Sequence, residues 1–432
     1  MTKWEGKNVS VFGLGKSGFA IAERLLPLGV NVFITDAKEQ TPETVQKLKE
    51  LKISYELGEH TDKAIENKDL IVLSPGVNPD LQILQTARKN GVQIISEIEL
   101  AYRFFSKPII AITGTNGKTT TTTLIGELLR AGGKKVAVGG NIGVPLISMD
   151  DSDLDFIVAE ISSYQLQTIV SFRPWISLLL NITEDHIERH KSLENYAIAK
   201  SRIFLNQKKS DFLIYNGEDP NVLVIVKRSE ATLIPFTKKG ADDILGVTSS
   251  KLPIKGEHNV ENAMAATLVA KIVGIDKKII RDTLISFKGV EHRIEFVCEK
   301  NGIEFYNDSK ATNPDSTIVA LKALNRGNKS IILILGGRDK GTSLDMMNEE
   351  IKKRVKKVVL IGEAAKRFEE SFTQSGFFDF VHAKDFESAI KTSYSLAEKG
   401  DRVLLSPACA SFDMFANFEE RGRVFKSIAR EL

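Results

Sequence analysis

Short apolar runs recur along the chain, and each ends in a turn rich in glycine or small polar residues. Segments with helical spacing of apolar positions lie between many of these runs. Strands that alternate with helices are typical of parallel α/β sheets. The runs predicted as strands are 8–13, 31–35, 70–73, 109–113, 135–138, 156–161, 175–180, 330–335, 358–361 and 403–405, with a hairpin-like pair following the segment VEHRIE.

The pattern divides the chain into three α/β blocks. A helix-like segment, IELAYRFF, leads into Pro108 and marks the first division, and VEHRIE opens the last block. A chain of 432 residues suits about two to four domains, each large enough for its own core. We therefore predict domains at residues 1–97, 98–290 and 291–432.

The composition is that of an ordinary globular protein, with 42% hydrophobic and 27% charged residues. A net charge of +3 gives no reason to expect a nucleic-acid partner. Cys298 and Cys409 are too few and too far apart for a disulfide framework or a metal cluster. The first residues lack the features of a signal peptide, and no apolar run approaches the ~18–20 residues that span a membrane. We expect a soluble cytoplasmic protein without membrane insertion.

The strand at 109–113 leads into a loop suited to phosphate. Its residues are Gly114, Thr115, Asn116 and Gly117, followed by Lys118, Thr119 and Thr120 at the start of a helix. Backbone N–H groups, a helix N-terminus and a lysine then surround one point, and a hydroxyl after the lysine suits Mg²⁺. A glycine turn with a solvated lysine is the competing interpretation. We predict ATP binding.

Polar residues follow the next strands of the middle block. Glu160 ends an apolar strand, where a buried carboxylate needs a partner such as Mg²⁺, and His186 lies after the strand 175–180. Spacing alone predicts Lys200 to be a surface lysine. Asn259 and Asn262 share a helix face, where two amides could contact a nucleobase or only pack.

The first block carries a G-x-G-x-x-G turn at 13–18, then Asp36 at the end of the next strand and Gly76 after a later one. Ligands of open α/β sheets bind at such strand ends. The motif leaves three possibilities open: NAD or FAD, a substrate containing a diphosphate, or a tight turn without a ligand.

The last block places four polar residues after strands. Lys310, Thr312, Lys340 and Ser411 could meet at one edge of a sheet. Lysines and hydroxyls gathered there would suit a small substrate rich in carboxylates, although each residue alone could be a solvated loop position.

Motifs spread over the whole chain resemble the Mur ligases of bacterial cell-wall synthesis. They are GTNGKTT, AEISSYQL, NITEDHIERH, AIAKSRIF, GEHNVENAMAA, EHRIE, NDSKATNPDS and LSPACASFDMFANFEERG. The resemblance implies three domains: a Rossmann-like N-terminal domain, a central P-loop ATPase domain and a Rossmann-like C-terminal domain. It also implies an ATP-dependent amide ligase that joins D-glutamate to UDP-N-acetylmuramoyl-L-alanine through an acyl phosphate. NDSKATN and the last motif point to D-glutamate, and the DNPR motif of the diaminopimelate-adding relatives is absent.

The resemblance also implies roles for individual residues. Lys118, Glu160, His186 and Lys200 would form the catalytic centre with two Mg²⁺, in which Thr119, Glu160, His186 and a carbamylated Lys200 are metal ligands. Asn259, Asn262, Arg293 and Asp308 would bind ATP beside the loop. The UDP substrate would contact Leu14, Gly15, Lys16, Ser17, Asp36, Gly76 and Asn141, which argues against NAD. D-glutamate would contact Lys310, Thr312, Lys340, Ser411 and Phe418. The active form would be a monomer.

Four other classes compete with this interpretation. A folate-polyglutamate-type ligase would share the ATP loop but would not need the first block. Another Mur ligase would differ in its amino-acid pocket. A non-catalytic nucleotide-binding regulator would bind ATP without turnover, and a dehydrogenase would bind NAD in the first block.

Overall fold

The computed structural model describes residues 4–185, 187–254, 256–339, 341 and 343–432. Contacts divide the chain into two compact units. One holds the chain up to Leu252 together with His258–Ser286, and the other holds Pro253–Glu257 and Phe287–Leu432. The first unit contains two sheets and the second contains one. The three-sheet α/β architecture predicted from the sequence is confirmed, whereas the domain boundaries at 97/98 and 290/291 stay predictions.

The first sheet has five parallel strands in the order β3-β2-β1-β4-β5. A central strand such as β4 is buried at every position, because helices cover both faces of a parallel sheet. The elements are β1 (Asn8–Phe12), α1 (Lys16–Leu25), β2 (Asn31–Asp36), α2 (Pro42–Glu50), β3 (Ser54–Leu57), β4 (Leu70–Leu73), α3 (Gln82–Lys89), β5 (Gln93–Ser96) and α4 (Glu97–Tyr102).

The second sheet has six parallel strands in the order β11-β10-β9-β6-β8-β7. Its strands are β6 (Ile109–Thr113), β7 (Val136–Gly140), β8 (Phe156–Glu160), β9 (Ile176–Leu179), β10 (Phe212–Asn216) and β11 (Thr232–Phe236). Its helices are α5 (Lys118–Ala131), α6 (Ser163–Leu166), α7 (Ile187–His190), α8 (Leu193–Ser201), α9 (Pro220–Ile225), α10 (Ala241–Leu245), α11 (Glu257–Val273) and α12 (Lys277–Ser286).

The third sheet has the order β12-β13-β17-β14-β15-β16, and only its β12–β13 pair is antiparallel. Its strands are β12 (Glu295–Lys300), β13 (Ile303–Asn307), β14 (Ile331–Gly336), β15 (Val355–Ile361), β16 (Phe380–His382) and β17 (Arg402–Leu405). Its helices are α13 (Pro314–Ala323), α14 (Asp345–Arg354), α15 (Ala365–Ser375), α16 (Phe386–Leu396) and α17 (Phe418–Glu431).

Each strand predicted from the apolar runs is present, with ends shifted by at most three residues, and the predicted hairpin is the β12–β13 pair. Strands β3, β5, β10, β11 and β16 were not predicted. Among the helices of the described residues, none has both the length and the apolar character needed to span a membrane. Both cysteines are free thiols.

Buried Glu99 of α4 ties the first sheet to the second. Its Oε2 accepts hydrogen bonds from the backbone N–H groups of Val170, Ser171 and Phe172 at 3.0, 2.9 and 2.8 Å. Its Oε1 accepts a bond from the Ser171 hydroxyl at 2.6 Å and another from the Arg103 side chain at 3.3 Å. A buried carboxylate with this many donors is well stabilised, so α4 holds the loop before β9 firmly.

Glu97, at the start of the same helix, is also buried, and its Oε1 accepts a hydrogen bond from the N–H of Ile147 at 2.8 Å. Among the described residues its Oε2 has no hydrogen-bond partner. Burial raises the pKa of Glu97 to about 7, although the N–H groups of Ile147 and Leu146 act in the opposite direction. The junction of the two sheets therefore contains a carboxyl group that titrates near neutral pH.

We expect Glu97→Gln to remove one component of the pH dependence of stability. The pKa of Glu97 is higher in the folded protein, about 7, than its ordinary value of 4.5. Its stabilising contribution is therefore complete below pH 4.5 and is lost as the pH rises through 7. At pH 8 the loss amounts to at most about 3 kcal/mol. Urea unfolding of both proteins at pH 5 and pH 8 measures it: the wild type should lose stability relative to Glu97→Gln.

The same change at the exposed Glu66 is the control, because it removes a carboxylate from the same unit without touching the junction. Parallel pH profiles for the wild type and Glu97→Gln would contradict this prediction.

Candidate active site

The loop after β6 is clamped by residues that follow β9. The N–H of Asn116 donates to Asn181 Oδ1 at 2.8 Å, and Asn181 Nδ2 donates back to the carbonyl of Asn116 at 3.1 Å. The Thr115 hydroxyl donates to the carbonyl of Thr183 at 3.2 Å and accepts from its N–H at 3.1 Å. Gly117, at φ +86°, then turns the chain into α5. The loop is therefore fixed in shape, with the N-terminus of α5 at its tip.

Two lysines meet at the carbonyl oxygen of Gly114. Lys118 Nζ donates to this oxygen at 2.8 Å and to the carbonyl of Thr115 at 2.7 Å. Lys200 Nζ donates to the same Gly114 oxygen, also at 2.8 Å. Two lysine amino groups and the N-terminus of a helix gather hydrogen-bond donors at one point, which is suited to a phosphate chain.

Lys200 is buried, with 1% of its surface exposed, so the prediction of a surface lysine from spacing alone is wrong. Its helix α8 lies against the loop, and its Nζ stands 4.4 Å from the centre of the Tyr196 ring. Burial, and then the nearby charge of Lys118, lowers the pKa of Lys200 well below its ordinary value. Asp185 and Glu160 act in the opposite direction. A lysine with a lowered pKa is more readily present as the neutral amine than a solvated one.

Glu160, at the end of β8, links the loop helix to the loop after β7. Its Oε2 accepts a hydrogen bond from the Thr119 hydroxyl at 2.8 Å, and its Oε1 accepts one from Asn141 Nδ2 at 2.9 Å. The carboxylate is buried. A carboxylate and a hydroxyl oxygen side by side beside a phosphate loop are ligands that suit Mg²⁺. His186, predicted as a further ligand, lies outside the described residues.

Asn262 of α11 lies beneath the loop. Its Oδ1 accepts a hydrogen bond from the Thr121 hydroxyl at 3.2 Å, and its Nδ2 donates to Asn259 Oδ1 at 3.3 Å. A Cβ atom on Gly117 would stand only 2.2 Å from Asn262 Oδ1. Of the two roles considered for these amides, packing against the loop is thus present for Asn262.

The edge of the first sheet is organised by Asp36. Its Oδ2 accepts the N–H of Leu14 at 2.6 Å and its Oδ1 accepts the N–H of Lys38 at 2.9 Å. Gly18 packs so closely on the turn that a Cβ there would stand 2.2 Å from the carbonyl oxygen of Gly13. The turn that carries Gly15, Lys16 and Ser17 is therefore rigid at its base, and Gly76 has open space around it.

Arg189 of α7 was not singled out by its sequence pattern. Its Nη2 donates to the carbonyl of Val77, directly after Gly76, at 2.6 Å, and its guanidinium stands 4.7 Å from the centre of the Tyr164 ring. Its Nε is buried and has no hydrogen-bond partner among the described residues. Arg189 thus brings a cation from the second sheet to the edge of the first, which no local motif indicates.

In the second unit, Arg293 sits in a turn with an unusual backbone. His292 has φ +65° and Ile294 has φ +47°, a left-handed conformation that is costly for residues other than glycine. Asp308 holds this turn from below, because its Oδ1 accepts the N–H of Ile294 at 3.2 Å and its Oδ2 accepts the hydroxyl of Ser406 at 2.7 Å. Burial raises the pKa of Asp308 to about 7, and the charge of Arg293 opposes the rise.

Of the residues predicted to bind D-glutamate, Lys310 and Phe418 lie close together at the start of α17. Lys310 Nζ stands 5.7 Å from the centre of the Phe418 ring. Ser411 is buried in the loop after β17, and Thr312 is partly exposed in the loop after β13. Lys340 lies outside the described residues.

Arg421 joins these two loops and was missed by sequence reasoning. Its buried guanidinium donates to the Ser309 carbonyl at 2.8 Å and to the Cys409 carbonyl at 3.1 Å. Burial lowers the pKa of Arg421 to about 10. Only its place in the motif FANFEERG could have drawn attention to it, since an arginine on a polar helix usually faces solvent.

A clamped glycine loop, two lysines and an acid beside a hydroxyl define the site of an enzyme that uses a nucleoside triphosphate. Comparison with known families agrees. The model of the MurD-like N-terminal domain of Mur ligases matches residues 7–96, that of the Mur ligase middle domain matches 112–270, and that of the Mur ligase glutamate ligase domain matches 292–409. The chain belongs to the Mur ligase family.

Among its relatives are two full-length proteins named UDP-N-acetylmuramoylalanine--D-glutamate ligase. The one from Caldanaerobacter subterraneus subsp. tengcongensis is 46% identical over 446 residues, covering 99% of this chain and 98% of the relative. The one from Clostridioides difficile is 42% identical over 451 residues, covering 99% of each chain.

Solved structures share the fold at lower identity. UDP-N-acetylmuramate-alanine ligase MurC from Thermotoga maritima has a TM-score of 0.58 and 19% identity, covering 98% of this chain and 99% of that one. MurF ligase from Thermotoga maritima, solved in complex with ADP, has a TM-score of 0.59 and 16% identity, covering 100% of this chain and 97% of that one. These likenesses concern the fold alone.

Gly117→Ala should weaken nucleotide binding. A Cβ at this position would stand 2.2 Å from Asn262 Oδ1 and would also strain a backbone at φ +86°. The loop must then shift away from α11, and we expect an affinity loss of at least about tenfold. Titration calorimetry with a non-hydrolysable ATP analogue and Mg²⁺ measures it.

Gly133→Ala is a matched control for this loop. It has a similar φ of +78°, but a Cβ there would meet nothing within 4 Å. The control should lose stability through backbone strain and keep its nucleotide affinity. Equal affinities for Gly117→Ala and the wild type would show that Asn262 does not fix the loop.

Proposed function

We propose that this chain is an ATP-dependent ligase that adds D-glutamate to UDP-N-acetylmuramoyl-L-alanine, giving ADP and phosphate, in peptidoglycan precursor synthesis. The observation that carries the proposal is the full-length identity of 46% and 42% to two ligases named for this reaction. Partly exposed Lys118, buried Lys200 and Glu160 around the loop supply the chemistry that such a reaction needs.

A carboxylate is a poor electrophile and must be activated before it can form an amide. Its oxygen attacks the γ-phosphorus of ATP, which gives an acyl phosphate and ADP. Lys118 and the N–H groups at the start of α5 hold phosphate oxygens and offset the charge that develops on them. The amine of D-glutamate, once it has lost a proton, attacks the acyl carbon, and inorganic phosphate leaves.

The metal sites are assigned to the same edge of the second sheet. Thr119 and Glu160 offer hard oxygen ligands to one Mg²⁺, and His186 and Lys200 are assigned to a second. Mg²⁺ at these positions supplies positive charge to the phosphoryl group in transit. Lys200 serves as a ligand only after its neutral amine has added CO₂ and released a proton, which turns a cation into an anionic carbamate. The burial that lowers its pKa favours the neutral amine.

The remaining assignments follow the family motifs. Nucleotide contacts are assigned to Gly114, Thr115, Asn116, Gly117, Thr120, Asn259, Asn262, Arg293 and Asp308. UDP-substrate contacts are assigned to Leu14, Gly15, Lys16, Ser17, Asp36, Gly76 and Asn141. D-glutamate contacts are assigned to Lys310, Thr312, Lys340, Ser411 and Phe418.

Most of these residues fall in three domains at 1–97, 98–290 and 291–432, which we assign to the UDP substrate, ATP and D-glutamate. Asn141 is an exception because it lies in the second domain, and so are Arg293 and Asp308, which lie in the third. We further propose that the protein acts as a monomer in the cytoplasm. One chain carries residues for every ligand, ATP is a co-substrate, and both cysteines are free thiols.

The decisive assay is phosphate release with ATP, Mg²⁺ and UDP-N-acetylmuramoyl-L-alanine, with D-glutamate, L-glutamate, L-alanine or a diamino acid added in turn. We expect release that depends on D-glutamate, and a loss of at least about a thousandfold in Lys118→Met, because the phosphoryl group then lacks the cation that the loop supplies. Release with another amino acid would support the proposed mechanism and contradict the proposed specificity for D-glutamate. ATP binding without release under any condition, bicarbonate included, would favour a non-catalytic regulator.

Carbamylation of Lys200 has a spectroscopic test that does not depend on turnover. Protein equilibrated with ¹³C-bicarbonate should show a carbamate carbon signal that is absent from Lys200→Met. Because Lys200→Met keeps every other lysine, it serves as the control for carbamates elsewhere. A signal that persists in this variant would place the carbamate on another lysine, and no signal in the wild type would contradict the assignment.

A further inference from the structure

The strained turn at 291–295 is held in shape by hydrogen bonds within the second unit. The N–H of His292 donates to Glu295 Oε2 at 2.9 Å, and the N–H of Lys310 donates to the carbonyl of His292 at 3.1 Å. Asn307 Nδ2 contacts both His292 Nδ1 at 2.9 Å and Glu295 Oε2 at 3.1 Å. Left-handed residues such as His292 and Ile294 persist only where their surroundings enforce them.

Lys426 of α17 joins the two ends of this turn. Its Nζ donates to Glu291 Oε1 at 2.5 Å and to Glu295 Oε1 at 3.0 Å, and only 13% of its side chain is exposed. The bond from Lys426 lowers the pKa of Glu291. Burial would lower the pKa of Lys426, but the bonds to the two carboxylates outweigh burial and raise it. The ammonium group is therefore charged and acts as a clamp between the first and last residues of the turn.

The same residues could be mistaken for a metal site, since Glu291, His292 and Glu295 offer ligand atoms within 4.8 Å of one another. Lys426 already supplies the cation between the two carboxylates. Asn307 Nδ2 donates to His292 Nδ1, and this bond assigns the ring proton to Nε2. Because Asn307 already uses His292 Nδ1 and the Lys426 ammonium group already lies between the two carboxylates, we interpret the cluster as one organised by its lysine.

Helix α17 thereby contacts both candidate ligand-binding regions of the second unit, which are the loops that carry Lys310 and Ser411 and the turn that carries Arg293. Phe418 and Arg421 lie at the loops that carry Lys310 and Ser411. One residue further, Gly422 lies against His292, and a Cβ there would stand 2.1 Å from its Nδ1. One turn on, Lys426 clamps the turn of Arg293.

We propose that Lys426 is a positioning residue for Arg293, so that helix α17 sets the affinity for the nucleotide through the turn 291–295. This inference rests on the proposed function, in which Arg293 binds ATP. It separates the roles of the helix: Arg421 fixes the loops assigned to D-glutamate, and Lys426 fixes the turn assigned to the nucleotide.

The test is Lys426→Met, which keeps the length of the side chain and removes its charge. We expect the dissociation constant for a non-hydrolysable ATP analogue with Mg²⁺, and the KM for ATP, to rise about tenfold. The KM for D-glutamate should stay within about twofold, because Arg421 still holds Ser309, next to Lys310, even though the N–H of Lys310 also donates to the turn. Lys426→Arg should keep the wild-type affinity.

Lys391→Met is the matched control, because Lys391 forms an exposed ion pair with Glu387 on α16 of the same unit, away from the turn. It should leave all constants unchanged. Glu291→Gln is a second variant in case Lys426→Met fails to fold. The Glu291 side chain is 57% exposed, and removing its charge leaves the bond from Lys426 to Glu295 in place. It should raise the dissociation constant about threefold, and this effect should vanish in the Lys426→Met background.

Unchanged nucleotide affinity in both Lys426→Met and Glu291→Gln would overturn the inference. So would an equal rise of the KM for ATP and for D-glutamate, which indicates general loosening of the unit. A wild type that releases no phosphate with D-glutamate would contradict the proposed function instead, and the dissociation constants would still decide the role of Lys426.

Discussion

The carbonyl oxygen of Gly114 is the point on which the candidate active site depends. Two lysines from different helices donate to it, one buried and one at the start of α5. Bringing two lysines to one acceptor is unfavourable unless the surroundings fix the geometry, and the charge of Lys118 is one cause of the lowered pKa of Lys200. The amide clamp of Asn181 and the packing of Asn262 beneath Gly117 provide that rigidity. The backbone of the loop is thus held rigidly, and this rigidity keeps both lysines at the Gly114 carbonyl.

The parallel strands explain why so many polar residues meet at a few edges. Glu160 ends β8 and Asn181 follows β9, and β6 lies between these two strands in the sheet, with the phosphate loop at its end. Every strand of a parallel sheet presents its carboxyl end to the same side, so one topology gathers residues that are far apart in sequence. The two glutamates of α4 add a second constraint, because they bind the first sheet to the loops of the second.

Much of this arrangement could be predicted from the sequence, since apolar runs mark central strands and glycine turns mark their ligand-binding ends. Edge strands such as β3 and β16 are short and partly exposed, so they leave no such run. The burial of Lys200 could not be predicted from spacing, because it results from the packing of α8 on a loop 86 residues earlier. The roles of Arg421 and Lys426 could not be predicted for a similar reason. Arg421 binds Ser309, and Lys426 binds Glu291 and Glu295, and each of these partners lies more than 100 residues earlier in the chain. Local pattern identifies elements, whereas long-range partners decide which charged groups are buried.

The bonds of Lys118 to its own loop have a consequence for the rate at which ligands leave. A lysine that binds phosphate must give up its partner each time product dissociates, and an unpaired, partly buried ammonium group would slow that step. Here the carbonyls of Gly114 and Thr115 receive it at 2.8 and 2.7 Å. In the proposed reaction, where Lys118 binds phosphate, the loop would offer an internal substitute for the departing anion, which should lower the barrier to product release and limit how tightly ADP is retained.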